Sequence, residues 1–454
     1  MAGIPAASIE GAGLEAEIRS VGMALAEGEA SASGPLLQRL DERAMRHAAQ
    51  DRELRAALFR LVDVAPACRN FEDLGEHLAG LVGQLDERPP SLDVAMRTSH
   101  TKAGRIALGA ATAAGVRHMA HRFIAGDSPT DARAELLGLW RSGIASTIDL
   151  LGEASVAGAE ADRYRDRCAE AIAVLAEGAQ GWPRQGVLES DSQGAIPRAN
   201  LSVKVSALTP MLRPEAPERA IEDASARLRP LLSQASRSGA HLHIDMEDVD
   251  SLESTMRLVL ELLSSPEFER SPSAGLVLQA YLCESPALLD QILDWARASR
   301  RSPPLVVRLV KGAYWDSEVV EARQQGWSVP VFTDKAECDR NFEALTRRLL
   351  DARPAVRVAV GSHNLRSVAH AIAYNRFSGG DDRDLEFQVL RGLGDDLAAA
   401  LAAAGLRARL YSPVGDLVAG MAYLVRRLLE NTSNESFLGA RLEGEEIEAL
   451  LAAP

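Results

Sequence analysis

From about residue 145 the chain alternates between short apolar, β-branched runs and longer amphipathic segments. The runs are STIDLLG, LSVKVSAL, HLHIDME, GLVLQAYL, LVVRLVKGA, VRVAVGSHN, LEFQVLRG and RARLYSPVG. Near-continuous apolar runs of this length suit strands covered on both faces, as in a parallel sheet wrapped by helices. Between them, segments such as PERAIEDASARLRPLLSQAS, VDSLESTMRLVLELLSS and SPALLDQILDWARAS repeat apolar residues at helical spacing. Eight strand–helix units over roughly 290 residues, with DLVAGMAYLVRRLLEN as the last helix, predict an α/β protein built as a (βα)8 barrel. A doubly wound open sheet is the alternative. No GxGxxG follows any run, however, and GLGDD at 392–396 lacks the third glycine that a dinucleotide fingerprint needs.

The first 124 residues read as helices alone. GPLLQRLDERAMRHAA, DRELRAALFRLVDV and GRIALGAATAAGVRHMAHRFI carry a 3.6-residue period, with a break at Pro89 and Pro90. Nothing in them points to chemistry, so packing or oligomerisation is their expected role. The expected organisation is a helical arm at 1–124, the barrel at 125–437 and a short acidic tail at 438–454. The net charge of −14 over 454 residues argues against a nucleic-acid partner, which would call for a basic field. The N-terminus lacks the basic and apolar regions of a secretory signal, and no apolar run is long enough to span a bilayer. Cys68, Cys168, Cys283 and Cys338 are widely spaced, which suits free thiols in a reducing cytoplasm.

In a barrel the chemistry belongs at the C-terminal ends of the strands. Those ends offer Glu153, Lys204, Asp245, Gln279, Arg308 with Lys311, His363 with Asn364, and Tyr411, while the seventh run presents Leu390. A lone charge enclosed by helices costs several kcal/mol unless paired, so a whole ring of them implies ligands as well as salt bridges. His241 and His243 form the one HxH pair, and no further histidines at the strand ends complete a metal set. A GxSxG elbow is absent, whereas Lys204 and Lys311 could each serve as a Schiff-base amine. RLVKGAYWD joins Arg308 and Lys311 to Gly312, Tyr314 and Trp315, with Lys335 and His363 on neighbouring rims. This basic patch with an aromatic platform suits a pyrophosphate and an adenine or a flavin. In AYLVRRLLEN, Arg426 and Arg427 project about 100° apart and can grip one carboxylate or phosphate from two sides.

Taken in order, LSVKVSAL, HIDMED, VLQAYL, RLVKGAYWD, VGSHN, LEFQVLRGLG, YSPVG and AYLVRRLLEN resemble the motif series of the flavin-dependent proline dehydrogenase family. The likeness is to the proline dehydrogenase module of its bifunctional proline utilisation A members in particular. It implies a distorted (βα)8 barrel that binds FAD and oxidises L-proline to Δ1-pyrroline-5-carboxylate. By position, Arg426, Arg427 and Lys204 would hold the substrate carboxylate. Asp245, Tyr314, Leu390 and Tyr411 would line the ring, and Glu153 would orient Arg426. Gln279 and Arg308 would approach the isoalloxazine, the backbone of Val310, Lys311 and Gly312 would run along the cofactor, and Trp315 would lie near the adenine. Thr333, Lys335, Ser362, His363, Asn364 and Glu430 would serve the pyrophosphate, ribose and adenine. The resemblance further implies a membrane quinone as electron acceptor, with peripheral contact at the inner membrane. It also implies a pyrroline-5-carboxylate dehydrogenase on a separate chain or in a further C-terminal half, since only 17 residues follow Phe437. Two readings compete: a catalytically silent barrel scaffold, and a lysine-dependent aldolase using Lys204.

Overall fold

The structure is a computed structural model that describes residues 6–32, 67–85, 99–152, 154–299, 301–415 and 446–454, with scattered positions between 53 and 97. Eight strands form a closed, all-parallel barrel: β1 (Ile144–Leu150), β2 (Asn200–Lys204), β3 (His241–Asp245), β4 (Ser273–Gln279), β5 (Leu305–Val310), β6 (Val356–Gly361), β7 (Leu385–Leu390) and β8 (Arg407–Val414). Each falls within or against one of the eight apolar runs. Neighbours in sequence are neighbours in space, and β1 closes the ring against β8 from Ile144↔Ala408 to Leu150↔Val414.

Side chains alternate across each strand, which divides the barrel residues into two sets. One set is apolar and fully buried, including Ile148, Leu201, Val203, Leu242, Ile244, Val307, Leu309, Phe387 and Leu410. It packs against the surrounding helices, among them α5 (Gly158–Gln180), α6 (Pro217–Ser238), α7 (Val249–Leu263), α8 (Ser285–Ser299), α10 (Lys335–Asp351) and α11 (Leu365–Phe377). The other set is largely polar and points inward. Tyr411 on β8 bonds Asp245 on β3, strands that are not neighbours, so this contact crosses the barrel interior. Below it, Arg409 holds Glu386 through two bonds of 2.8 and 2.9 Å and also donates to the Ser146 carbonyl. His241 Nε2 and His243 Nδ1 lie 3.1 Å apart, and His241 Nδ1 meets Ser273 Oγ. The two histidines are thus members of a buried hydrogen-bonded layer on one strand face.

A two-stranded hairpin, Ser190–Asp191 with Gly194–Ala195, sits at the N-terminal end of the barrel, where Asp191 accepts from Arg357 at 2.9 Å. The sequence reading did not anticipate it. Outside the ring, α1 (Ala6–Ala32) packs on α11 and on α12 (Asp395–Ala403). Arg366 of α11 reaches Glu15 of α1, Glu343 of α10 and the Leu451 carbonyl, so segments from both ends of the chain meet on one flank. Helix α2 (Phe71–Gly83) packs on α3 (Lys102–Phe123), the latter matching the expected 104–124 segment. After α3 the chain runs beside β8: Ala125 donates to the Pro413 carbonyl, and Gly126 bridges Val414. Helix α4 (Pro129–Arg141), with Pro129 at its first turn and Ser128 capping it, then leads into β1. The segments GPLLQRLDERAMRHAA and DRELRAALFRLVDV, the break at Pro89 and the last helix at 416–431 lie wholly or largely outside the described residues.

Candidate active site

The C-terminal ends of the strands open into a cleft of about 510 Å³. Every expected site residue that the structure describes lines it: Lys204, Asp245, Gln279, Arg308, Val310, Lys311, Gly312, Tyr314, Trp315, Thr333, Lys335, Ser362, His363, Asn364, Leu390 and Tyr411. Glu153, Arg426, Arg427 and Glu430 lie outside the described residues.

At the inner end a charged network joins five strands. Lys204 Nζ stands 2.6 Å from Asp149 Oδ1 and 3.4 Å from both Asp245 Oδ2 and the Tyr411 hydroxyl. Tyr411 donates to Asp245 at 2.7 Å, and Arg308 donates to the other Asp245 oxygen at 2.8 Å and to Ser202 Oγ at 3.1 Å. Burial opposes the Lys204 charge, but Asp149 and Asp245 outweigh it and raise its pKa. The Asp245 carboxyl is likewise disfavoured by burial, yet Lys204 and Arg308 hold its pKa below the usual value. Asp149 goes the other way: burial dominates the attraction of Lys204, and its pKa is raised. Lys204 therefore stands as an ammonium between two carboxylates.

Asp149 of β1, which was not among the expected site residues, is the first-strand carboxylate at Lys204. The run STIDLLG carries it, on the same strand face as Thr147, but its pairing with Lys204 is made only when β1 and β2 lie side by side. Glu247, whose carboxylate accepts from the Ser206 N–H and hydroxyl, also lines the cleft.

Toward the outer end, Gln279 donates to the Glu247 carbonyl at 2.9 Å. Its Oε1 and the Nε of Arg308 are buried without a partner among the described residues. Gly312 has φ +142°, and a Cβ there would lie 2.4 Å from the Tyr281 ring, so only glycine lets the β5 exit turn lie flat against that ring. The turn then delivers Tyr314 and starts α9 (Trp315–Gln325), where Trp315 Nε1 donates to the Phe332 carbonyl at 2.9 Å. Lys311 and Lys335 share the carboxylate of Asp339, the latter at 2.7 Å. Asp339 lies one helical turn after Lys335 on α10, a spacing visible in TDKAECD. His363 Nε2 accepts the Leu390 N–H at 2.8 Å, and Asn364 caps α11 through the Ser367 N–H.

Fold and cleft together define a (βα)8-barrel protein whose candidate site occupies the C-terminal face. Comparison with known proteins narrows that class. The proline dehydrogenase family profile matches residues 132–440, and the profile of the proline utilization A N-terminal domain matches residues 15–123. The bifunctional protein PutA of Salmonella typhimurium is 33% identical over 333 residues, covering 71% of this chain and 24% of that protein. Proline dehydrogenase 1 of Bacillus subtilis subsp. natto is 30% identical over 331 residues, 72% of this chain and 92% of that protein. Among solved structures, proline utilization A from Bdellovibrio bacteriovorus, inactivated by N-propargylglycine, superposes with a TM-score of 0.88 at 33% identity over 97% of this chain and 44% of that one. The chain belongs to the proline dehydrogenase family. It spans about a quarter of the length of the bifunctional relatives it matches.

Proposed function

We propose that this chain oxidises L-proline to Δ1-pyrroline-5-carboxylate with a bound FAD. The observation that carries the reading is the cleft itself. A carboxylate-held ammonium and an aromatic hydroxyl stand at one end. Buried polar atoms that find no partner among the described residues, Gln279 Oε1 and Arg308 Nε among them, and two further cations, Lys311 and Lys335, line the rest. Buried polar atoms without partners need a ligand or water, and the pair of lysines supplies charge for a diphosphate, so the residues present fit a flavin dinucleotide. When bound, the flavin supplies the hydride acceptor.

The residues of the chain then have defined tasks. Lys204, together with Arg426 and Arg427, binds the substrate carboxylate. Leu390, Tyr314 and Tyr411 enclose the five-membered ring and exclude water. Asp245, fixed by Arg308 and Tyr411, keeps the polar side of the ring in one orientation. Glu153 orients Arg426. Oxidation removes a hydride from the ring carbon beside nitrogen and a proton from nitrogen, leaving a C=N bond. Thr333, Lys335, Ser362, His363, Asn364, Trp315 and Glu430 hold the diphosphate, ribose and adenine. A membrane quinone receives the electrons at a peripheral contact, and a pyrroline-5-carboxylate dehydrogenase takes the product. Among the described residues no helix is long and apolar enough to cross a membrane.

The aldolase reading needs a neutral amine at Lys204. The two carboxylates beside it favour the ammonium, which speaks for the dehydrogenase. The test is direct. Purified protein should be yellow and its flavin absorbance should bleach on anaerobic addition of L-proline. A protein that takes up no flavin, or whose flavin is indifferent to proline, refutes the proposal. Borohydride trapping of a carbonyl substrate on Lys204 would favour the aldolase.

A further inference from the structure

The proposed function assigns no task to the helical arm. The last two residues of α3, Arg122 and Phe123, nevertheless touch the wall of the cleft. Strand β7 ends at Leu390, and residues 390–395 turn sharply into α12: the N–H groups of Leu393 and Gly394 both return to the Leu390 carbonyl, at 3.2 and 2.9 Å. Inside the cleft this turn is tied to His363 through the Leu390 N–H. On its outer side it meets the arm. Arg122 Nε donates to the Gly392 carbonyl at 3.1 Å, and the fully buried Phe123 lies flush against Gly392. A Cβ on Gly392, whose φ is +83°, would come within 2.6 Å of the Phe123 ring, so the contact leaves no room even for a methyl group. The Gly392 N–H is taken by Asp395 at 2.6 Å, and Arg391 reaches Glu135 of α4 at 2.8 Å. The same arm segment continues along β8 through Ala125 and Gly126, so its position is fixed by backbone bonds to the barrel.

We infer that Arg122 and Phe123 are positioning residues for the substrate: by pressing on Gly392 they fix Leu390 and Leu393, and thereby the size of ring the cleft admits. The inference rests on the proposed function, in which Leu390 faces the proline ring. Leu390 and Leu393 both line the cleft, whereas Arg122 and Phe123 do not, so the arm acts through the turn. An apolar wall discriminates one methylene by roughly 10- to 200-fold, and only if it cannot retreat. A displacement of about 1 Å is enough to forfeit much of such a preference.

The experiment compares wild type, Arg122→Leu and Phe123→Ala in the flavin-loaded protein. Two ratios are read: kcat/KM for L-proline against its six-membered homologue L-pipecolate, and calorimetric affinity for cyclopentanecarboxylate against cyclohexanecarboxylate. Both variants should lower both ratios by about tenfold, with flavin content at the wild-type level. Unchanged ratios alongside a lowered Tm would mean that the contact is only structural and would overturn the inference. If Phe123→Ala fails to fold, Arg122→Leu decides alone. Wild-type protein that binds the ring carboxylates but is never reduced by proline sinks the oxidation reading and leaves the affinity ratio to judge the wall. Wild type that binds neither ring overturns both.

Discussion

Replacing Glu386 by glutamine tests whether the charged layer beneath the cleft holds the barrel together through its ionisation. Glu386 points into the barrel from β7, bound twice by Arg409 of β8 and once by Gln388 at 2.6 Å. Burial alone would push its carboxyl up, but Arg409, Arg407 and Gln388 together bring it from 4.5 to about 2. The folded value lies below the unfolded one. Its contribution is therefore complete above the unfolded pKa near 4.5 and is lost as the pH falls toward 2. At roughly 1.4 kcal/mol per pH unit, the depression is worth about 3 kcal/mol at neutral pH. The glutamine keeps the shape and removes the charge, leaving Arg409 buried beside a neutral amide, a situation that typically costs a similar amount. The assay is chemical unfolding of both proteins, followed by near-ultraviolet circular dichroism at pH 7, 5 and 3. The gap between them should be about 3 kcal/mol at pH 7, about the same at pH 5, and shrink to about 1 kcal/mol at pH 3. A gap that stays constant down to pH 3 would show a steric loss, and no gap at pH 7 would show that the pair adds nothing over an amide. Either result refutes the reasoning.

Three further outcomes are expected. Lys204→Ala should raise KM for proline by about ten- to a hundredfold, the worth of one charged hydrogen bond, with FAD still bound; wild-type kinetics would remove Lys204 from the carboxylate site. Lys335→Ala should lose flavin on gel filtration, because one of the two cations gathered at Asp339 is gone, and full occupancy would place the diphosphate elsewhere. Acid should begin to weaken the fold well before the carboxylates titrate. Burial and nearby guanidinium groups lower His241 and His370 from 6.5 to about 3, so the unfolded chain gains protons there as the pH drops from 6.5 while the folded chain does not. Stability measured from pH 7 to 5 should fall, and less steeply in His370→Gln; a flat profile over that range would be incompatible with neutral buried imidazoles.

The barrel was readable because its strands are covered on both faces, which leaves runs too apolar and too β-branched for loops. The hairpin at the N-terminal end escaped notice because QGVLESDSQGAIPR has no hydrophobic period; its place is secured by Arg357 meeting Asp191. Candidate residues were legible where a charge interrupts an apolar run near its end, as with Lys204, Asp245 and Arg308. Inward-facing charges deeper in the barrel were less so. Glu386 and Arg409 are 23 residues apart and become partners only when β7 and β8 lie side by side. Asp149 shows the same limit: it shares a strand face with Thr147, but its partner Lys204 is 55 residues away and meets it only when β1 and β2 lie side by side. The contact of Phe123 with Gly392 joins residues from separate parts of the chain, and no local pattern announces it.

Closure of the ring between β1 and β8 has a consequence for the chain while it is being made. β1 pairs with β2 at only Ile148↔Leu201 and Asp149↔Ser202, whereas its long ladder runs to β8. That partner emerges about 260 residues later, so at synthesis rates of roughly 5–20 residues per second β1 waits on the order of 15 to 50 seconds. For that interval a seven-residue strand that ends fully buried presents an open edge. The nascent chain therefore has a window in which it can join a neighbouring chain's strand instead of its own. Slowing translation within the second half of the barrel should widen this window and shift the product from soluble protein toward aggregate.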